Sequence, residues 1–478
     1  MTSKKTLNAA NLETLGAARL AELLIEISEG NAAAKRRLRL ELVGAGSPAD
    51  VAKEIRKRLA TIARSRGFVE WQNRKALIDD LEAQRRAIVE QVAKRAPNEG
   101  LELMWRFVDL AASVYGRTDD SSGIISGVFH TAVADLGEIA QTARPDPKQL
   151  ADQVFAALNR NRFGQFDGLI KTLKPALGPA GLEHLKQRMV ALSAEPVQRP
   201  ADNQRKVVAY GSTGTIYADE MEERARVSTV RLALQAIADA QGDVDAFIAQ
   251  YDEEIRKAPK IAAQIATRLL AAGRADDAWQ IIEESQPRRG FWPDFEWEDA
   301  RIAVLEALGR GDEAQTARWA CFERTLSARH LRDYLKNLPD FDDFEAEQRA
   351  LDYAERVNSA LQAISFLVHW PALDRAARVV MQRAKDLDGN SYELLTATAQ
   401  TLAGKYPLAA TLLLRAMIDF TLREARFKRY GHAARHLREC EALAPTIQDY
   451  GTFETHDAYL ARLRREHGRK PAFWSRVT

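Results

Sequence analysis

The sequence predicts an all-α protein, an N-terminal helical domain followed by a tetratricopeptide-like α-solenoid, and three observations predict it. Apolar residues recur at helical spacing along nearly the whole chain, as in Leu12, Leu15, Leu20, Leu23, Leu24 and Ile27, which lays a stripe along one helix face. Strict alternation of apolar and polar residues, the mark of a half-buried strand, is nearly absent. Gly273-Arg274-Ala275-Asp276-Asp277-Ala278 is echoed by Gly309-Arg310-Gly311-Asp312-Glu313-Ala314, a spacing close to the roughly 34-residue period of tetratricopeptide helix pairs. One such pair cannot bury its own apolar face, so neighbours must stack.

The elements follow in order. Gly44 and Gly46 end one helix, and Ser47, Pro48 and Asp50 then supply an N-cap, an N1 proline and an acid in the first turn. Gly44 to Ala49 also matches G-x-G-x-x-A, but a dinucleotide site needs a strand before its glycines, and a basic helical run stands there instead. Pro97 to Gly100 makes the next break. Pro145-Asp146-Pro147 is the first boundary between larger units, since proline cannot donate a helix hydrogen bond and disfavours helix in the residue before it. A second boundary lies between Ala194 and Tyr217, where Val207 to Tyr210 and Thr215 to Tyr217 flank Gly211 to Gly214 as an exposed loop or a small β-hairpin. These breaks divide the chain into an N-terminal helical domain (1–144), a connecting helical segment and loop (145–217) and a tetratricopeptide-like helical repeat domain (218–478).

Composition narrows the function classes. At 478 residues the chain is too long for one ordinary core, and 46% apolar with 28% charged residues excludes disorder throughout. Two cysteines, Cys321 and Cys440, exclude a disulfide framework and a four-thiolate zinc site. No apolar run reaches the roughly 18 residues that cross a bilayer, and the start has no signal-like block. The expected setting is the cytoplasm, with no membrane partner.

Several stretches resemble a known group. Ala18 to Leu24 leading to Lys35-Arg36-Arg37-Leu38-Arg39, then Phe68-Val69-Glu70-Trp71, then Arg117 to Gly123, are similar to an uncharacterised bacterial family of helical proteins. Its members resemble the helical regions attached to SWIM zinc-finger proteins. The blocks Arg301 to Arg310 and Leu331 to Phe341 are similar to the same group. The resemblance implies a helical fold and a domain of unknown function. The SWIM finger itself needs clustered Cys and His, which this sequence lacks, so its zinc and nucleic-acid roles do not carry over.

Candidate sites follow from residue type and spacing. His432, His436 and Cys440 fall four apart on one helix and could converge as zinc ligands, or pack an inner helix pair. No other cofactor is expected. Arg117, Asp119, Asp120 and Ser121 form a polar turn, either a binding turn or a cap for the next helix. No catalytic triad or paired-carboxylate arrangement assembles from sequence, so a non-catalytic role is expected.

Charge is distributed unevenly. Residues 31–95 carry 16 Lys or Arg against 8 Asp or Glu, whereas 276–347 carry 9 against 18. The basic end could hold phosphates through Lys35, Arg36, Arg37, Arg64, Arg66 and Arg74, with Trp71 stacking on bases. The acidic region, with Phe291, Trp292, Phe295 and Trp297 and with Asp312 and Glu313, could anchor a basic peptide, or its aromatics could plug the space between helix pairs. The leading expectation is a scaffold that binds a protein or peptide. The rival is nucleic-acid association through the N-terminal helices, and a metal-dependent enzyme stands third.

Overall fold

The computed structural model describes residues 7–30, 34–35, 37–39, 42, 47–197, 199–211, 214–285 and 294–477. The described residues are mostly helical and form two compact units, Met1–Asp252 and Glu253–Thr478. The divisions expected at 144 and 217 both fall inside the first unit. None of the described helices is long and apolar enough to cross a membrane.

The first unit contains α1 (Ala9–Glu13), α2 (Gly16–Ser28), α3 (Pro48–Arg64), α4 (Trp71–Ala87), which runs into a π-helical turn at Ile88–Ala93, α5 (Pro97–Val108), α6 (Ala111–Tyr115) and α7 (Ile124–Ala143). It continues with α8 (Pro147–Leu158), α9 (Leu169–Ala194), α10 (Ala218–Gln241) and α11 (Val244–Ile248). Ser47 caps α3 as its sequence indicates, accepting the Asp50 N–H, with Pro48 inside the first turn. The glycines before it lie outside the described residues. Helix α9 kinks at Gly178, between Pro175 and Pro179, because Gly178 holds φ 54° and ψ −174°.

One continuous core runs from Val51 to Ile237 and includes Met104, Phe107 and Phe129. Helices α8 and α9 contribute Val154, Leu173 and Leu185 to it, so the segment expected as a connector is packed into this unit. A two-stranded antiparallel hairpin, β1 (Val207–Gly211) and β2 (Gly214–Tyr217), leads into α10. Arg205 anchors it, donating to Asp219 and Glu220 while its guanidinium lies 3.8 Å from the Tyr217 ring centre.

The second unit contains α12 (Glu253–Arg256), α13 (Pro259–Ala271), α14 (Ala275–Glu284), α15 (Phe295–Ala307), α16 (Gly311–Thr325), α17 (Ala328–Lys336) and α18 (Asp342–Arg356). Then come α19 (Ala360–His369), α20 (Leu373–Gln382), α21 (Tyr392–Leu402), α22 (Pro407–Arg423), α23 (Tyr430–Leu443), α24 (His456–His467) and α25 (Pro471–Trp474). From α13 to α23, successive helices pack mainly on their neighbours in the chain. The core is built the same way, from Ile302, Leu305, Ala314 and Ala317 at one end to Tyr430, Leu437 and Phe473 at the other.

The two glycine turns that echo each other in sequence are congruent in structure. Gly273 and Gly309 hold φ of 75° and 71°, where a side chain is strained. The following N–H closes back on the helix, from Arg274 to the Leu269 carbonyl and from Arg310 to the Leu305 carbonyl, each at 2.8 Å. Both arginines then donate to the acid three residues on, Asp277 at 2.6 Å and Glu313 at 2.7 Å. Ala278 and Ala314 are fully buried, so the small residue early in each second helix lets it approach the first closely.

Candidate functional site

Helices α16, α17 and α18 enclose an open cavity of about 790 Å³. Trp319 and Glu323 reach it from α16 and Tyr334 from α17. Helix α18 supplies one face, with Glu345, Gln348, Arg349, Asp352, Tyr353 and Arg356 at helical spacing and Phe344 at its start. The rings are held in place. Trp319 packs 5.3 Å from Phe322 and 5.2 Å from Tyr334, the Tyr334 carbonyl accepts from Gln315 at 2.9 Å, and the Tyr353 hydroxyl donates to the Glu323 carbonyl at 3.0 Å. Burial, then the Glu323 charge, pushes the Tyr353 phenol up from its ordinary value, so it stays a neutral donor.

Charges of both signs line this cavity. The Arg349 guanidinium lies 4.9 Å from the Trp319 ring centre and donates to the Tyr334 hydroxyl at 3.2 Å. Asp352 accepts from Arg375 at 2.6 Å, and that hydrogen bond holds its carboxyl below the usual range. Glu323 and Glu345 form no ion pair among the described residues. Phe341, three residues before the lining Phe344, caps α18 with φ 77° and is 89% exposed, and Phe344 is 65% exposed. A bulky residue with positive φ is a backbone outlier.

The residues expected to hold a partner are dispersed differently. Phe291 and Trp292 lie outside the described residues. Trp297 is only 7% exposed and its indole N–H donates to the buried Ser285 hydroxyl at 2.9 Å, so it is the plug between helices and not a surface. Phe295 stacks on His330 at 5.9 Å. Asp312 and Glu313 stand exposed in the first turn of α16, where acids complement the helix dipole, and Glu313 is held by Arg310. None of these lines the cavity. Sequence reasoning missed Trp319, Tyr334, Phe344 and Tyr353, because their convergence comes from three helices and no short motif joins them.

The basic end is partly consumed by internal pairing. Arg56 binds Glu99 and Glu102, Arg58 binds the buried Asp80, and Arg85 binds Glu82 and Asp135. Arg74 donates to the Asp119 carbonyl at 3.0 Å. Arg36 lies outside the described residues, and Lys35, Arg37, Arg64 and Arg66 are exposed. Trp71 and Phe68 are exposed as well, at 74% and 62%.

The polar turn serves as a cap. The Asp120 carboxylate accepts the Ile125 N–H at 2.9 Å and the Ser126 N–H at 2.7 Å, satisfying two of the orphan donors that open α7, and Asp119 accepts the Ser121 N–H of the turn before it at 3.0 Å. Arg117, lowered from its ordinary value by burial, lends its carbonyl to the Val69 N–H at 2.9 Å.

The His432–His436–Cys440 face does not assemble as a ligand set. His432 is exposed and takes a contact from Arg435 at 3.1 Å, whereas His436 and Cys440 are buried. Cys440 faces the Thr411 carbonyl, and burial pushes its thiol up to about 12. Among the described residues no group of three or more His, Cys, Asp or Glu could hold a metal ion.

One arrangement joins residues that no sequence motif linked. Ser327 caps α17 and its hydroxyl lies 2.8 Å from His330 Nδ1, while His330 Nε2 lies 3.0 Å from Asp299 Oδ1 on α15. The Ser327 oxygen also accepts the His330 backbone N–H at 3.4 Å. With His330 buried and stacked under Phe295, the chain of bonds ties α17 to α15 as an extended cap.

Comparisons with known proteins place this geometry in context. The model of a family described as a family of unknown function (DUF6880) matches residues 2–476. Among curated proteins none matches. A solved structure titled "Circular tandem repeat protein with novel repeat topology and enhanced subunit contact surfaces" is 16% identical over 96% of this chain and 92% of that chain, with a TM-score of 0.15. So low a score gives that likeness no weight for the fold.

Proposed function

The chain belongs to the DUF6880 family of unknown function, and on that premise we propose that it is a non-catalytic helical-repeat scaffold that holds a protein or peptide partner in the cavity between α16, α17 and α18. The observation that carries this reading is the cavity itself, open to solvent and lined by four aromatic residues, Trp319, Tyr334, Phe344 and Tyr353, around charged side chains. Rigid aromatic anchors beside polar groups are the usual makings of a peptide-recognition surface. In this reading the second unit is a tetratricopeptide-like solenoid, supported by the congruent turns at Gly273 and Gly309.

The test is an array of random peptides probed with the purified full chain and with a Tyr353→Ala, Trp319→Ala double variant. Peptides that bind the parent and lose most of their signal on the folded variant support the reading. An array with no peptide above background, or one indifferent to the variant, sinks it.

A second reading, nucleic-acid association, rests on one observation. Trp71 and Phe68 are exposed near Arg64, Arg66 and Lys75, and exposed rings among cations can stack on single-stranded bases. Filter binding of single-stranded DNA and RNA at low salt checks it. Retention that falls about tenfold or more on Trp71→Ala favours it, and none at the lowest salt removes it.

A further inference from the structure

We infer that the cavity of α16–α18 receives an arginine side chain of its partner, flanked by apolar residues that settle on Phe341 and Phe344. The inference rests on the peptide-binding reading and names the chemistry of the occupant. It begins from Arg349, which is already where such a side chain would go. Its guanidinium lies over the Trp319 face and bonds to the Tyr334 hydroxyl, so the cavity holds a cation by its ring quadrupoles before any partner arrives. A planar guanidinium stacks on an indole face better than a compact ammonium does.

The carboxylates agree with this. Glu323 and Glu345 line the cavity without an ion pair among the described residues, and Asp340, Asp342 and Asp343 stand exposed where the chain turns into α18. The helix dipole accounts for acids in the first turn of α18. It does not account for Phe341, whose positive φ costs about 1–2 kcal/mol and whose ring gains no burial in return. A strained, exposed ring beside an exposed second one is a surface suited to apolar contact. Arg349 is then the chain's own placeholder, displaced when the partner's arginine enters.

The experiment uses the full chain and a capped five-residue peptide with a central arginine between two leucines, compared with the same peptide carrying lysine or citrulline at the centre. Citrulline keeps the shape and loses the charge. Fluorescence anisotropy of labelled peptides gives each Kd. The arginine peptide is expected to bind at least tenfold tighter than the citrulline peptide and several-fold tighter than the lysine one. Glu323→Gln with Glu345→Gln weakens the arginine peptide about tenfold and leaves the citrulline peptide unchanged, while Arg349→Met tightens the arginine peptide. All three positions border solvent, and circular dichroism verifies that each variant is folded.

Equal affinity for arginine and citrulline, or indifference to the paired glutamates, overturns the inference, as does no saturable binding of the arginine peptide up to about 1 mM. If peptides from the random array bind and depend on Tyr353 while the arginine peptide does not, the scaffold reading stands and only the arginine assignment fails.

Discussion

Trp297 and Phe341 are aromatic residues of the same acidic stretch, and their surroundings set them to opposite tasks. Trp297 is buried with its N–H satisfied by Ser285, so Trp297→Ala should cost about 3–5 kcal/mol, most of it from the cavity left behind. Chemical denaturation measures this, and a loss below about 1 kcal/mol would show that the indole is not a plug. Phe341 holds φ 77° with its ring in water. Phe341→Gly should leave stability unchanged or raise it by about 1 kcal/mol, because glycine adopts that backbone without strain. A protein that melts lower would contradict this account of Phe341.

His436 sets a pH dependence. Burial first, then the Arg435 and His432 charges, lowers its pKa from the ordinary 6.5 to about 4. The folded protein therefore favours the neutral ring, and the unfolded chain binds the proton more readily. The corresponding stability is complete above about pH 6.5 and is lost as the pH falls toward 4, amounting to about 2 kcal/mol at pH 5. Both ring nitrogens lack hydrogen-bond partners among the described residues, so His436→Leu should flatten the fall in stability between pH 7 and pH 5 without removing a bond found there. Denaturation at the two pH values, parent against variant, measures the difference.

At the scale of the element, turns and close approaches decide which helices pair. Gly273 and Gly309 each end a helix in the left-handed region, with open space around the position where a Cβ would stand. The cost of Gly→Ala at either is therefore conformational, about 1 kcal/mol, and congruent turns should lose similar amounts. Ala278 and Ala314 differ in kind, since their cost is steric. Replacing either by Leu should overpack a close helix contact by about 1–3 kcal/mol. Unequal effects within either pair, read from thermal melts, would show that the sequence echo is not a structural one. The lesson extends to capping: Asp120 lies three residues before the Gly123 that opens α7, yet its carboxylate reaches two of that helix's orphan donors.

At the scale of the whole molecule, the first unit has a core from Val51 to Ile237, and the second has clusters from Ile302 to Cys321 and from Phe322 to Phe473. Units with their own cores can unfold separately. Calorimetry should then resolve two transitions, with Trp297→Ala lowering one and Asp120→Ala the other. A single transition shifted equally by both would show that the units unfold as one. The charge imbalance between residues 31–95 and 276–347 is real in sequence, but pairs with acids outside the basic stretch, Arg56 with Glu99 and Glu102 and Arg85 with Asp135, offset part of its excess. Net charge along a sequence overstates the field at a surface for this reason.

The sequence by itself determined the helical class, the capped start of α3 at Ser47 and the paired glycine turns, while it left the Val207–Tyr217 segment open between a loop and the hairpin that forms. Each of these depends on residues within a turn or two of one another, where periodicity, caps and backbone freedom act directly. The partition of roles among the aromatics was a different matter. Trp297 was readable as plug or surface from its neighbours alone, and burial chose the plug. The cavity was not readable, since Trp319, Tyr334 and Tyr353 sit on three helices and meet only when those helices pack. His432, His436 and Cys440 share a spacing, yet only packing put two of them inside and left the first in solvent. Local interactions fix the elements, and the distances between side chains far apart in the chain exist only once the tertiary fold is made.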